Sequence, residues 1–259
     1  MNFIFYARHS MLSLLVFRGF FFSLALQWII PPLIAMFAWI AVLENSNRTG
    51  QVDWLIANYL TILFVNQFTY SYEHWTIAFQ IRNGTYSKQL LLPYHPILQS
   101  IADNFGSKLL FLCFNIPIVI ILWLVFHPHI DLTGWRIVYF MISLVFASVI
   151  RFFMGFILAC ISFWTTRSDS TLLVNDALMF LLGGQAAPIA FLPSVLQSTI
   201  QFLPYFSCLG LPAMLLLSPL DHGVVFELIA KQCIWLMIFM LSGYWIWKSG
   251  VNKFQATGG

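Results

Sequence analysis

The chain has 259 residues, of which 60% are apolar, 18% aromatic and only 8% charged, with a formal net charge of +3. Soluble domains carry about 25% charged residues, so a water-soluble fold is excluded, and the sparse basic residues form no patch suited to nucleic acid. The four cysteines, Cys113, Cys160, Cys208 and Cys233, are isolated, lack the paired spacing of zinc or redox sites, and read as packing residues.

A hydrocarbon layer about 30 Å thick takes roughly 20 apolar residues per helical crossing, and the sequence offers about six such runs. Residues 1–18 lack the pattern of a cleaved leader, so this end is expected to stay attached. They mix Ile4, Phe5, Met11, Leu12, Leu15 and Val16 with Arg8, His9, Ser10 and Arg18, which predicts a helix lying in the membrane interface. The first crossing covers about 19–43 and contains Trp28, Pro31 and Pro32. Two missing backbone donors predict a kink at mid-membrane.

The second crossing, about 55–78, is followed by a basic, partly apolar segment over 82–106 and by a third crossing over about 107–126. A fourth, about 135–163, is longer than one crossing needs and is expected to tilt or protrude. The fifth begins near Ser170 and meets GGQAAPIAFLP, where Gly183, Gly184, Pro188 and Pro193 stop a regular helix. The residues that follow are too apolar for a water-exposed loop, so 183–222 reads as a re-entrant or interfacial helical pair on the outer side. The sixth crossing, about 224–247, ends in Tyr244, Trp245, Trp247 and Lys248.

Basic residues set the orientation of membrane segments. Arg8, Arg18, Arg82, Lys88, Lys108, Arg167, Lys248 and Lys253 fall on one side; Arg48 and Arg136, with Lys231 near the edge, fall on the other. The excess places both termini and the 82–106 segment in the cytoplasm. No linker divides the chain, so 1–259 reads as a single all-α integral membrane domain.

Catalytic patterns are missing: there is no GxSxG, no HExxH and no phosphate loop. His127, His129 and Asp131 form the nearest approach to a metal cluster, in a short external loop without further ligands close in sequence. The chain therefore reads as binding no metal or cofactor of its own. If ATP drives it, ATP binds another chain. Intramembrane polar residues are the better lead, because an ionisable group in hydrocarbon needs a cavity or a partner. Asn66, Tyr70, Glu73 and His74 have the spacing of one helical face and could line a path. Alternatively, Glu73 and His74 sit at the inner interface, where Tyr72 and Trp75 anchor the helix. Arg151 lies deep in the fourth run and Asp176 one to two turns into the fifth; they either pair with each other or meet a substrate. Glu227 and Lys231 are four apart and are expected to pair on one helix surface.

The segment RNGTYSKQLLLPYHPILQSIADNFGSK is longer than a turn requires. Gly84 interrupts the approach, residues 85–92 can form a short helical turn, and Pro93 and Pro96 end it. With Leu90, Leu91 and Leu92 exposed, it suits a groove on another protein or equally a resting place on lipid.

Three stretches carry a family resemblance: IRNGTYSKQLLLPYHPILQSIADNFGSK, then FWTTRSDSTLLVNDALMFLLGGQAAPIAFLPSVLQSTIQFLPY, then the ending GVNKFQATGG. In order and spacing they resemble the membrane subunits of bacterial type-2 ABC exporters, the ABC-2 permeases with six transmembrane helices. The resemblance implies a homo- or heterodimer of permeases in the bacterial inner membrane, bound to separate cytoplasmic ATPase subunits that carry ATP and Mg. It makes the segment between helices two and three a coupling helix, with Thr85, Tyr86, Lys88, Gln89, Leu90, Leu91 and Leu92 touching the ATPase. A re-entrant pair before helix six then caps the outer side of the path. ATP closes the ATPase dimer, the coupling helices follow, and a route opens outward. The competing readings are a gradient-driven transporter or channel, which would favour an inverted repeat and more midplane charge, and an integral-membrane enzyme acting on lipids.

Overall fold

The computed structural model describes residues 3–16, 18–92, 95–128, 130, 132–165 and 168–254. Pro93, His129, Asp131 and Arg167, and the last five residues of the GVNKFQATGG ending, lie outside them. The regular structure among the described residues is all helical, with no strand. Among the described residues, four stretches are long and apolar enough to cross a bilayer by themselves: Phe21–Asn45, Pro96–Phe126, Gly134–Phe163 and His222–Val251.

Helix α1 (Phe3–Val16) lies against the first turns of the long α7 (Pro96–Phe126). Ser10 Oγ donates to the Asp103 carbonyl at 3.1 Å and shares a 2.9 Å hydrogen bond with Ser107 Oγ. Gly106 permits the approach, because a Cβ there would run into the Ala7 carbonyl. The first crossing is two helices, α2 (Arg18–Gln27) and α3 (Ile30–Asn45). The expected kink therefore falls at residues 28–29, just before the prolines. Pro31 and Pro32 occupy the first turn of α3, where backbone N–H groups have no helical partner in any case, so the missing donors cost little.

The run expected as a second crossing is also divided, into α4 (Val52–Thr69) and α5 (Glu73–Arg82), with extended backbone at Tyr70. This corrects the expectation of one continuous helical face for Asn66, Tyr70, Glu73 and His74. A single turn, α6 (Ser87–Leu90), follows Gly84, whose φ of 71° reverses the chain. Helix α7 then starts at Pro96 rather than near 107, with His95 Nδ1 accepting from the Ile97 N–H. The independent segment between the second and third crossings thus ends about ten residues before the expected boundary at 106. Pro96 begins a helix here instead of ending one.

Helix α8 (Gly134–Cys160) is the central column, flanked by α4, α5 and α13 (His222–Val251). Helix α9 (Asp169–Leu182) stops at Gly183. The chain then makes one turn at Ile189–Phe191, continues as α10 (Ser194–Phe202), and folds back through α11 (Pro204–Cys208) and α12 (Gly210–Leu217) into the bundle. Gln232, fully buried on α13, donates from Nε2 to the carbonyls of Ser143 and Ser207 at 3.0 and 2.9 Å, fixing that return against α8. Apolar clusters fill both ends: Leu55, Leu60 and Leu63 with Met36 near one, Ile77, Ile81, Phe156 and Leu172 near the other.

Candidate functional site

The two helix breaks meet. The Trp28 ring lies 4.5 Å from Tyr70, Tyr70 lies 4.4 Å from Tyr72, and Tyr72 stacks on Phe111 of α7 at 4.0 Å. Arg151 of α8, only 5% exposed, reaches into the second break. Its Nη1 donates to Asn66 Oδ1 at 2.7 Å, to Thr69 Oγ1 at 3.0 Å and to the Asn66 carbonyl at 3.3 Å, while the guanidinium sits 4.9 Å from the Tyr70 ring centre. The last carbonyls of a helix lack intrahelical donors and form its negative end. Arg151 therefore caps the interrupted α4 by its charge and through the Asn66 and Thr69 side chains, since the Asn66 carbonyl it reaches already accepts from the Tyr70 N–H at 2.9 Å.

Glu73, buried at the start of α5, accepts from Asn104 Nδ2 of α7 and from Ser71 Oγ at 3.3 Å. Lys108, one turn further along α7, donates to Ser148 Oγ of α8 at 2.6 Å and lies 5.7 Å from the Phe68 ring centre. A polar belt of Asn66, Thr69, Ser71, Glu73, Asn104, Lys108 and Arg151 thus ties α4, α5, α7 and α8 together at the break. Of the sequence candidates, Asn66, Glu73 and Arg151 belong to it, and Tyr70 lies against it through the Arg151 guanidinium. Asp176 does not join Arg151 in a direct ion pair among the described residues; it stands on the wall of a neighbouring cavity. Sequence reasoning missed Asn104 and Asp103 as site residues. The spacing of Ser100, Asp103, Asn104, Ser107 and Lys108 marks a polar face on one helix and could have found them.

That cavity has a volume of about 900 Å³ and lies between α1, α2, α5, the start of α7 and α9. It runs from Trp28 and Tyr70 at the breaks down to Gln89 on α6. The α6 segment is fastened at one side only. Tyr86 is fully buried, accepts from Trp247 Nε1 at 3.0 Å and packs edge-on against Phe163 and Phe254; burial raises its phenol pKa well above the ordinary range. Gln89 Nε2 donates to Gln80 Oε1 at 2.8 Å, and Leu90 packs against the same inner cluster. Thr85 and Lys88 are exposed, as are Leu92 and, at 87%, Leu91. Arg82 joins α5 to the start of α9, with Nη1 2.5 Å from Asp169 Oδ1 and 2.8 Å from Ser168 Oγ.

At the break after α9, Gly184 adopts φ 92°, a conformation that favours glycine. The turn delivers the Ala186 carbonyl to Trp39 Nε1 at 3.1 Å and the Tyr59 hydroxyl at 3.3 Å. Gly183 lets Leu209 close on α9. Pro188 and Pro193 carry extended backbone on either side of the single turn and precede it and α10 respectively. On α13, Glu227 and Lys231 pair at 2.7 Å. No group of three metal-ligating side chains occurs among the described residues.

Long apolar helices around a polar, twice-broken interior define a multi-pass membrane protein. Residues 29–258 match the family model for the ABC-2 family transporter protein, and the chain belongs to that family. It is thus a membrane component of a transporter. A comparison with curated proteins finds no match.

Proposed function

We propose that the chain is the permease subunit of an ATP-driven exporter, with six crossings, both termini in the cytoplasm of a bacterial inner membrane, and a second permease copy or relative beside it. A separate cytoplasmic ATPase binds and hydrolyses Mg-ATP; this chain forms the path and makes and breaks no covalent bond. The observation that carries the reading is the α6 segment. Its Tyr86 side is locked into the bundle while Leu91 stands free, so a partner gripping the free side would pull on the buried one.

The force route is short. Glutamines 80 and 89 join α6 to α5, and α5 meets α4 at the polar break. Displacing α6 therefore tilts α5 about residues 70–72 and reshapes the cavity that both elements line. Glu73, Tyr70 and Asp176 face that cavity, and Arg151 and Asn66 hold its upper corner. The hairpin of residues 183–222 closes the opposite end as the outer cap.

Leu91→Asp tests the coupling. Burying a leucine contributes about 1.5–3 kcal/mol, and a charge in the same groove adds a desolvation cost. Co-purification of the ATPase and export should fall together by at least about tenfold, while Leu91→Asp inserts and melts like the parent. Full ATPase capture by that variant refutes the coupling role.

A further inference from the structure

The 900 Å³ cavity carries an uneven charge. Glu73, Asp103 and Asp176 are on its lining; among the described residues there, none is Lys or Arg and His9 is the one basic-capable group. Lys108 and Arg151 stand behind the wall, with Lys108 directed to Ser148 and Arg151 to Asn66 and Thr69. Three polar atoms of lining residues are buried without a hydrogen-bond partner: the oxygens Gln89 Oε1 and Gln99 Oε1, and the donor Trp28 Nε1. Unpaired buried polar atoms are uncommon and call for a partner. Carboxyls out of water likewise require a partner.

The remaining wall is aromatic: Trp28, Tyr70, Tyr72 and Trp75 line it with Phe5 and Tyr6. Ring faces attract cations and accept apolar bodies. The volume lies in the range of small-molecule sites, roughly 300–1,000 Å³. Acids without a described Lys or Arg beside them, and rings around them, select one kind of occupant.

We propose that this cavity admits a protonated amine carried on an apolar body, the ammonium meeting the carboxylates while the body lies on the rings. This rests on the permease reading and names the cargo class its path accepts. A neutral sugar would leave the negative charge of the wall unbalanced, and an anion would be repelled by it.

The full chain in lipid nanodiscs, titrated calorimetrically against empty nanodiscs, tests this with two probes of one shape and opposite charge, naphthylmethylammonium and naphthylacetate. Saturable binding is expected for the ammonium alone. The double variant Asp103→Asn/Asp176→Asn should weaken it at least tenfold. Glu73 is left intact because Asn104 and Ser71 use it to hold the break. Should the double variant fail to fold, Asp176→Asn alone, whose carboxyl makes no ion pair among the described residues, is expected to weaken binding at least threefold. Equal binding of both probes, no saturable ammonium binding, or variants within twofold of the parent would overturn the proposal. ATPase capture, measured on the same preparations, separates the outcomes. A chain that captures the ATPase but ignores the amine loses only the cargo assignment, whereas one that captures no ATPase loses the coupling reading whatever it binds.

Discussion

Arg151→Met removes the cap from α4. Two charge-assisted hydrogen bonds, to Asn66 Oδ1 and Thr69 Oγ1, and a desolvated contact with the Tyr70 ring are lost together. Such hydrogen bonds contribute about 1.5–3 kcal/mol each, and the ring contact about 2. Removing the guanidinium also removes its own desolvation cost, which brings the expected net loss to about 3 kcal/mol, the low end for breaking a buried charged network. At about 2–4 °C per kcal/mol for a chain of this size, the melting midpoint should drop by about 6–12 °C. Tryptophan fluorescence in detergent reads it directly, and Arg151→Lys, which keeps charge but loses the planar fork, should lie between parent and Met variant. A double-mutant cycle with Asn66→Ala should show a coupling of at least about 1 kcal/mol. A midpoint for Arg151→Met within about 2 °C of the parent, or strict additivity in the cycle, refutes the capping argument.

Gly106→Leu should force α1 away from α7 at Ala7, costing about 1–3 kcal/mol through overpacking; hydrogen exchange over Phe3–Val16 should rise, and unchanged protection would show that the close approach is dispensable. Arg82→Ala should shift stability by no more than about 1 kcal/mol, because its partner Asp169 is half exposed and water screens the pair; a loss as large as that for Arg151→Met would mean that the tie between α5 and α9 is structural. In a variant without the native cysteines, Asn47→Cys and Thr133→Cys should react with a membrane-impermeant thiol reagent in intact cells while Ser87→Cys and Lys253→Cys should not; the reverse pattern overturns the orientation.

The long apolar helices α7, α8 and α13 were legible because an unbroken apolar run has one solution in lipid. The breaks were harder to place. Pro31 and Pro32 announced an interruption, yet proline fits the first turn of a helix as well as its middle, so the break lies before them. Nothing local distinguishes residues 70–72 from their helical neighbours. Tyrosine and serine are tolerated in helices, and the extended backbone at Tyr70 is held by Arg151, a residue 81 positions away in sequence. Asp176 shows the same limit: its depth in the fifth run was readable, but the choice between an ion pair and a cavity wall was made by where Arg151 found better acceptors. The fully buried Tyr86, by contrast, could not be separated from its exposed neighbours by sequence, because a four-residue turn has too little periodicity to mark a face.

A continuous α4–α5 helix would carry any displacement of α6 rigidly to the far end, against the packing of Leu55, Leu60 and Leu63. Close-packed cores resist such deformation. A helix divided at residues 70–72 confines the motion to its lower half, provided both sides of the division stay braced. Arg151 braces the fixed side from α8, the most heavily packed column, and Asn104 and Ser71 hold Glu73 on the moving side. The first crossing is divided at the same level, and the two breaks touch through Trp28 and Tyr70. In the proposed permease, α2 and α5 can therefore tilt together while α3 and α4 stay fixed, and the cavity between them is the space that changes. Locking that level should stop export without loosening the ATPase, the opposite pattern to Leu91→Asp.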